Sequence, residues 1–295
     1  MDAAESAFFE RELEHVKAVT YDIRFPALKG RQFVPVAGDV DPGAESVTYQ
    51  QFDKVGRAKI ISNNAKDIPR VDVNGVEFNR PVREVADAYG WTIKEVRSAA
   101  MAGRSLTTMR ASAARRAIEQ VIDDVAAVGA PDFGIATGFT NDADVPQQVA
   151  PGLWPAATPD QILADVGDAI ARISAATEDT EEPNTVIVPP DRWALISTTP
   201  RSATSDTTIL EFILRAFPQI TAVEKWNRLQ TAGAGATRRM VVYDRSADKL
   251  QQDIPSEFEQ LPVQEQGIEF VVNALASTAG MAWFYPLSAD YTDTI

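Results

Sequence analysis

Hydrophobic and polar positions change rhythm several times along this chain, and each change marks an element. Residues 46–62 (SVTYQQFDKVGRAKIIS) alternate. Val47, Tyr49, Gln51 and Asp53 fall on one side of an extended chain, and Thr48, Gln50 and Phe52 on the other, so a strand is predicted, with Gly56 as a bulge or bend. A polar stretch, 63–70, follows. Then VDVNGVEF (71–78) carries Asn74-Gly75, a strong type I′ turn signal. A second extended stretch passes through Val82, Val85, Asp87, Tyr89 and Trp91. The pattern predicts a long hairpin over 46–91 with polar residues on both faces. A two-stranded ribbon is marginal alone in water, so this one needs a partner surface.

The rhythm then becomes helical. Thr92 can cap a short helix, IKEVRSAAMAG, that stops at Gly103. Ser105 can open a long one ending at Gly129, whose apolar positions Ala114, Ile118, Val121, Val125 and Val128 are spaced 4-3-4-3 and predict a core-facing stripe. From Thr158 helices and strands alternate. Thr158-Pro159-Asp160-Gln161 is a capping box with Pro at the first helical position, and Thr208 with Glu211 opens a second helix. Strands are predicted at 185–189, 220–226 and 240–244, and the C-terminal part is β-rich over 267–276 and 281–287. At the other end, residues 1–19 suit a short amphipathic helix, while Thr20 to Glu45 shows no period. Such a stretch cannot satisfy its own backbone and must lie along another surface, of its own domain or of a neighbour. The fold class is α+β, with no internal repeat.

Composition mostly excludes. The 295 residues hold no Cys and a single His, His15, with 28 Lys and Arg against 42 Asp and Glu, a net charge of −14. A disulfide framework and Cys-ligated metal sites are ruled out, and any His-dependent mechanism must use His15 in a polar N-terminal stretch. No run reaches the length of a membrane span, and the acidic start is not a secretory signal. The charge is also uneven. Residues 51–120 hold 13 basic and 8 acidic side chains, whereas 121–190 hold 1 and 12. Each set can solvate its own surface; alternatively, a basic element of one copy meets an acidic element of another.

Catalytic motifs are missing. Gly233-Ala234-Gly235-Ala236 begins like a dinucleotide loop, but Arg238 stands where the third Gly belongs and no helix follows; a flexible loop is expected. Asp123-Asp124, Glu178-Asp179 and Glu181-Glu182 could supply carboxylates, yet adjacent residues on a helix do not face one another, and solvated faces are expected. No catalytic, cofactor-binding or metal-binding residue is assigned. A soluble metal enzyme would need converging carboxylates in a deep pocket.

Several phrases in order do point somewhere: VTYQQFDKVGRAKII (47–61), NNAKDIPRVDVNG (63–75), AARRAIEQVIDDVA (113–126), PPDRWALISTT (189–199), TSDTTILEF (204–212), VYDRSADKL (242–250) and FYPLSADYTDTI (284–295). Together they resemble a family of tailed-bacteriophage and prophage major capsid proteins with the Hong Kong 97-type fold, which encapsulin nanocompartment shells share. The resemblance implies an N-arm (1–45), an extended E-loop hairpin (46–91), a peripheral domain (92–139) with a spine helix at 105–129, an axial domain (140–249), and a return to the peripheral sheet (250–295). It implies a non-enzymatic subunit that self-assembles through pentamers and hexamers into an icosahedral head around double-stranded DNA, without sequence-specific binding. The implied place is the virion, after assembly in the host bacterial cytoplasm. A separate scaffolding protein, a portal and a decoration protein are the implied partners, because about 45 residues before the hairpin leave no room for a cleaved scaffold. An encapsulin-type shell is the alternative. Candidate inter-subunit contacts are Lys54, Arg57, Lys59, Lys66 and Arg70. Some relatives join an E-loop Lys to a neighbouring Asn; Lys54, Lys59, Lys66 and Asn273 are available, but no motif assigns the pairing and no cross-link is expected.

Overall fold

The computed structural model describes residues 26–55, 71–102, 106–202, 204 and 206–295. In chain order it runs through α1 (Gly30–Phe33), β1 (Val36–Ala37), β2 (Ser46–Val55), β3 (Asp72–Pro81), β4 (Arg83–Thr92), α2 (Ile93–Ala102), α3 (Leu106–Val128), β5 (Gln147–Val149) and α4 (Pro159–Ala176). It continues through β6 (Thr185–Val188), α5 (Pro190–Thr198), α6 (Ile209–Ala216), β7 (Ala222–Lys225), β8 (Arg239–Tyr243), β9 (Leu250–Asp253), β10 (Ser256–Gln260), β11 (Gln264–Gln266), β12 (Glu269–Thr278), β13 (Gly280–Trp283) and β14 (Ala289–Asp293). The fold is α+β, as the sequence pattern indicates.

Five strands form a mixed sheet in the order β5-β14-β8-β6-β7. Its central strands β14, β8 and β6 are buried at every position, as a sheet covered on both faces requires. Alternation divides those residues between two cores. Val186, Val188, Met240 and Val242 pack with Ile162, Val166 and Ile173 of α4 and with Ile196, Ile209 and Ile213 of α5 and α6. Ile187, Val241, Tyr243 and Tyr291 point the other way, onto Phe33, Val34, Phe139, Trp226, Leu250, Met281 and Trp283. Both predicted capping boxes form: Thr158 with Gln161 opens α4, and Thr208 with Glu211 opens α6. Helix α5 was not anticipated. Its nine residues begin with Pro190 at the first helical position, but they carry too few apolar residues for a clear period.

The long helix α3 lies against a second sheet, in which β12 pairs with β4 on one side and with β10 and β11 on the other. Ile118 and Ile122 meet Ala274, Ala276 and Ile254 there. Each buried Ile contributes about 1.5–3 kcal/mol. The predicted stripe needs correction at two positions. Val121 and Val128 are 42% and 43% exposed, and Ile122 is buried in place of Val121. The buried positions Ala114, Ile118, Ile122 and Ala126 follow the i, i+4 row of the helix, with Val125 beside it, so the face toward the sheet lies to one side of Val121 and Val128. Gly129 ends the helix at φ 79°, with its N–H donating to Val125 O at 2.8 Å. A Cβ there would meet Ile135 O at 2.8 Å, so only Gly fits.

The hairpin is shorter than expected and turns elsewhere. β2 and β3 pair from Ser46↔Pro81 to Val55↔Asp72, so Asn74-Gly75 lies inside β3, opposite Asp53 and Phe52. The turn signal fails because Gly75 has another use. A Cβ on it would be 3.0 Å from the Phe52 ring, which lies across the bare backbone. The connection at 56–70, with Gly56, lies outside the described residues. The stretch 83–92 is not part of the ribbon; as β4 it pairs with β12 from Arg83↔Thr278 to Thr92↔Glu269.

From Pro26 on, the aperiodic segment takes one of its two expected surfaces, its own chain: Phe33 and Val34 are fully buried in the second core, and β1 pairs with β9. The expected return of 250–295 to the peripheral sheet ends early. β13 joins β9 and β1, and β14 enters the five-stranded sheet between β5 and β8. Residues 1–25 lie outside the description.

Candidate assembly surface

β2 and β3 are each ten residues long, roughly 33 Å, and together form a two-stranded sheet of their own. Residues opposite one another in an antiparallel pair share a face. On one face Tyr49 stacks on Phe78 at 4.9 Å and meets Phe284 edge-on at 4.9 Å. Arg80, on the same face, ion-pairs with Asp253 at 2.5 Å. Burial pushes the Asp253 carboxyl upward, against the pull of Arg80. On the other face Asn79 donates to Thr48 Oγ1 at 2.7 Å and Ser46 Oγ at 3.2 Å. Just beyond the ribbon, Arg83 Nε donates to Phe133 O at 2.6 Å.

All these contacts lie in the half of the ribbon nearest its base. Farther out, Phe52, Val73 and Val76 are 60%, 54% and 56% exposed. A two-stranded ribbon that exposes apolar side chains on both faces, with no further strand beside it among the described residues, is an aggregation hazard unless another chain covers it.

Of the candidate contact residues, Lys54 is placed in β2 opposite Val73. Arg57, Lys59, Lys66 and Arg70 lie outside the described residues. Asn273 is in β12, opposite Ala88 of β4. Sequence reasoning missed Arg80, Asp253, Tyr49 and Phe284, which fix the base. Tyr49 and Phe78 carried a signal in their strand alternation, while Asp253 carried none, because no strand was predicted at 250–253.

The acidic half is less available than its charge suggests. Asp123 is buried, accepts the Gly30 N–H at 2.6 Å, and lies 3.4 Å from Arg228, which also pairs with Asp124. The expectation of a solvated face there was wrong: this carboxylate ties the N-terminal segment to α3. Asp165 accepts from the Trp154 indole at 2.8 Å, and Glu181 pairs with Lys249 at 2.7 Å. Glu178, Asp179 and Glu182 make no ion pair among the described residues. The Gly233–Thr237 segment is a closed reverse turn, with Gly233 N–H on Thr237 O at 2.9 Å and Ala234 N–H on Asp293 at 2.9 Å, and it opens no helix. Among the described residues no group of three or more His, Asp or Glu could hold a metal ion, and no helix is long and apolar enough to cross a membrane.

The last strand is held by arginines. Arg172 grips Asp290 with Nε on Oδ1 at 2.9 Å and Nη2 on Oδ2 at 2.6 Å. Arg239 grips Asp293 in the same two-pronged way, at 2.6 and 2.9 Å. Arg192 Nε donates to the Ile295 main-chain oxygen at 2.9 Å. Burial raises the Asp290 carboxyl's pKa, opposed by Arg172.

A family model described as major capsid protein matches residues 56–295. Among solved structures, the capsid of Myoviridae phage XM1 is similar with a TM-score of 0.87 at 18% identity, over 99% of this chain and 100% of that one. The capsid of a native GTA particle matches with a TM-score of 0.67 at 9% identity, over 99% of each chain. A virus-like particle from Pyrococcus furiosus matches with a TM-score of 0.56 at 13% identity, over 88% of this chain and 90% of that one. No curated protein sequence matches.

Proposed function

We propose how this chain, which belongs to the major capsid protein family, makes its contacts in the shell. As a member it is a structural subunit, assembling with its own copies into the capsid of a virion. The β2–β3 ribbon is the reaching element, the E-loop of the Hong Kong 97-type fold, and it overlaps an adjacent copy. The observation that carries this is the division of the ribbon: Tyr49, Phe78 and Arg80 are fastened to Phe284 and Asp253, while Phe52, Val73 and Val76 remain in water. A neighbouring copy that covered them would remove the apolar exposure.

Around the ribbon the chain divides into an N-arm up to residue 45, a peripheral unit of α3 with β4, β10, β11 and β12, and an axial unit of α4–α6 with β5–β8 and β14. The axial units gather into pentamers and hexamers. Lys54, Arg57, Lys59, Lys66 and Arg70 make the distal ribbon basic, and they meet acidic side chains of the neighbour, with Glu178, Asp179 and Glu182 as the receiving group. Charge pairs of this kind set register more than affinity. The shell encloses double-stranded DNA; a net charge of −14 suits a container that must not grip phosphate. It assembles in the host cytoplasm with a separate scaffolding protein, a portal and a decoration protein. The test is the triple reversal Lys54→Glu, Arg57→Glu, Lys59→Glu. The subunit should keep its circular dichroism spectrum and melting temperature but yield few particles by electron microscopy. Normal particles from that variant would overturn the charge-paired ribbon.

A further inference from the structure

Residues 26–29, the middle of α3, the start of α5 and the turn after β7 enclose a cavity of about 590 Å³. Four cationic side chains line it: Lys29, Arg116, Lys225 and Arg228. The one carboxylate among its described lining residues, Asp123, is already engaged by the Gly30 N–H and by Arg228. Lys29 Nζ donates to Lys225 O at 2.9 Å, and Lys225 Nζ lies 4.5 Å from the Trp193 ring centroid. Neither lysine has a carboxylate partner among the described residues. Uncompensated cations in a concave, partly apolar recess attract an anion and hold it more strongly than on an open surface. Leu28 and Trp226 form apolar wall, which suits a peptide bearing carboxylates and hydrophobic side chains better than a bare phosphate chain.

We propose that this cavity binds an acidic, phenylalanine-bearing peptide segment, and that the occupant is the chain's own residues 2–14. That segment carries Asp2, Glu5, Glu10, Glu12 and Glu14 against the single Arg11, together with Phe8 and Phe9. The described chain begins at Pro26, which itself lines the cavity. The twelve residues from Glu14 to Pro26 reach at most about 40 Å, enough to turn back into it. Docking there would place the segment against α3 and the axial unit together. The site is independent of the ribbon contact.

The test uses the full-length subunit before assembly, with a photoreactive benzoylphenylalanine in place of Phe8. Mass spectrometry should find its cross-links on residues 26–29, 116–120 and 225–228. Lys29→Glu with Lys225→Glu should lower that yield roughly tenfold, the effect of about 1.4 kcal/mol. Adding Glu10→Lys, Glu12→Lys and Glu14→Lys should restore it. Lys225→Met, which keeps a long side chain over Trp193, guards against misfolding and should give a smaller loss. Cross-links that map elsewhere, a yield indifferent to the charge reversals, or capture only of added DNA would each overturn the proposal. None of these results bears on the ribbon, whose test is particle formation.

Discussion

The β2–β3 ribbon and the five-stranded sheet are built from the same kind of element under opposite conditions. The sheet's central strands are short, four residues in β6 and five in β8, and buried at every position. The ribbon's strands are ten residues each, and Phe52, Val73 and Val76 in their outer half are exposed. Strand length therefore does not measure contribution to the subunit. Burial on two faces does, because the apolar area removed from water stabilises the fold and an isolated ladder adds little. The sheet holds the subunit together, and the ribbon offers its surface to something else.

That contrast can be broken most directly by placing the same charge in each. Val242 is fully buried in β8, whereas Val76 in β3 is 56% exposed. Val242→Asp should cost more than about 4 kcal/mol and leave no folded subunit, since an unpaired carboxylate cannot be accommodated between two cores. Val76→Asp should shift the melting temperature little but lower particle yield. Similar losses of stability from both would show that the ribbon is part of the subunit core.

A finer comparison uses one arginine from each region. Arg172→Ala leaves Asp290 without its two-pronged partner in the last strand of the sheet. Breaking a buried pair costs about 3–5 kcal/mol; Arg172 is partly exposed, so about 2 kcal/mol is expected by chemical denaturation. Arg80→Ala removes the partner of Asp253 at the ribbon's base. It should cost about 1–2 kcal/mol, yet reduce assembly more than Arg172→Ala does, because it frees the ribbon's angle. The opposite ranking of particle yields would show that the base contact is not what aims the ribbon.

The same contrast explains what could be read from sequence. Elements fixed by local chemistry were legible: the capping boxes at Thr158 and Thr208, the stop at Gly129, and the strands predicted at 185–189 and 240–244, which fold as 185–188 and 239–243. Features set by distant partners were not. Asn74-Gly75 has the composition of a turn, but Phe52 across the ladder keeps Gly75 in a strand. Asp123 has the composition of a solvated face, but Gly30, 93 positions away, buries it. Tail strand β14 joins β8 and β5 across the fold, and nothing local in SADYTDTI announces those neighbours. The resemblance of ordered phrases conveyed the family; the contacts at the ribbon's base came only with the coordinates.

The smallest effect concerns pH, and its sign differs between the start of α2 and the five-stranded sheet. Glu95 caps α2 by accepting the Thr92 N–H at 2.9 Å and pairs with Arg110 at 2.8 Å, and these bonds hold its carboxyl down at about 2. A depressed carboxyl stabilises the fold above its ordinary value of 4.5 and loses that contribution as pH falls toward 2. Asp290 is shifted the other way by burial, above 3.8. Its contribution is fully present below 3.8 and is lost as pH rises through its folded value. Acidification from pH 5 to 2 should therefore loosen the first turn of α2 without a matching loss from Asp290. Hydrogen exchange, corrected for the intrinsic rate at each pH, should show protection falling at Thr92 and Glu95 while the β14 amides hold. Glu95→Gln, which keeps an acceptor but no charge, should flatten the response at α2. An unchanged response in that variant would place the acid-sensitive group elsewhere.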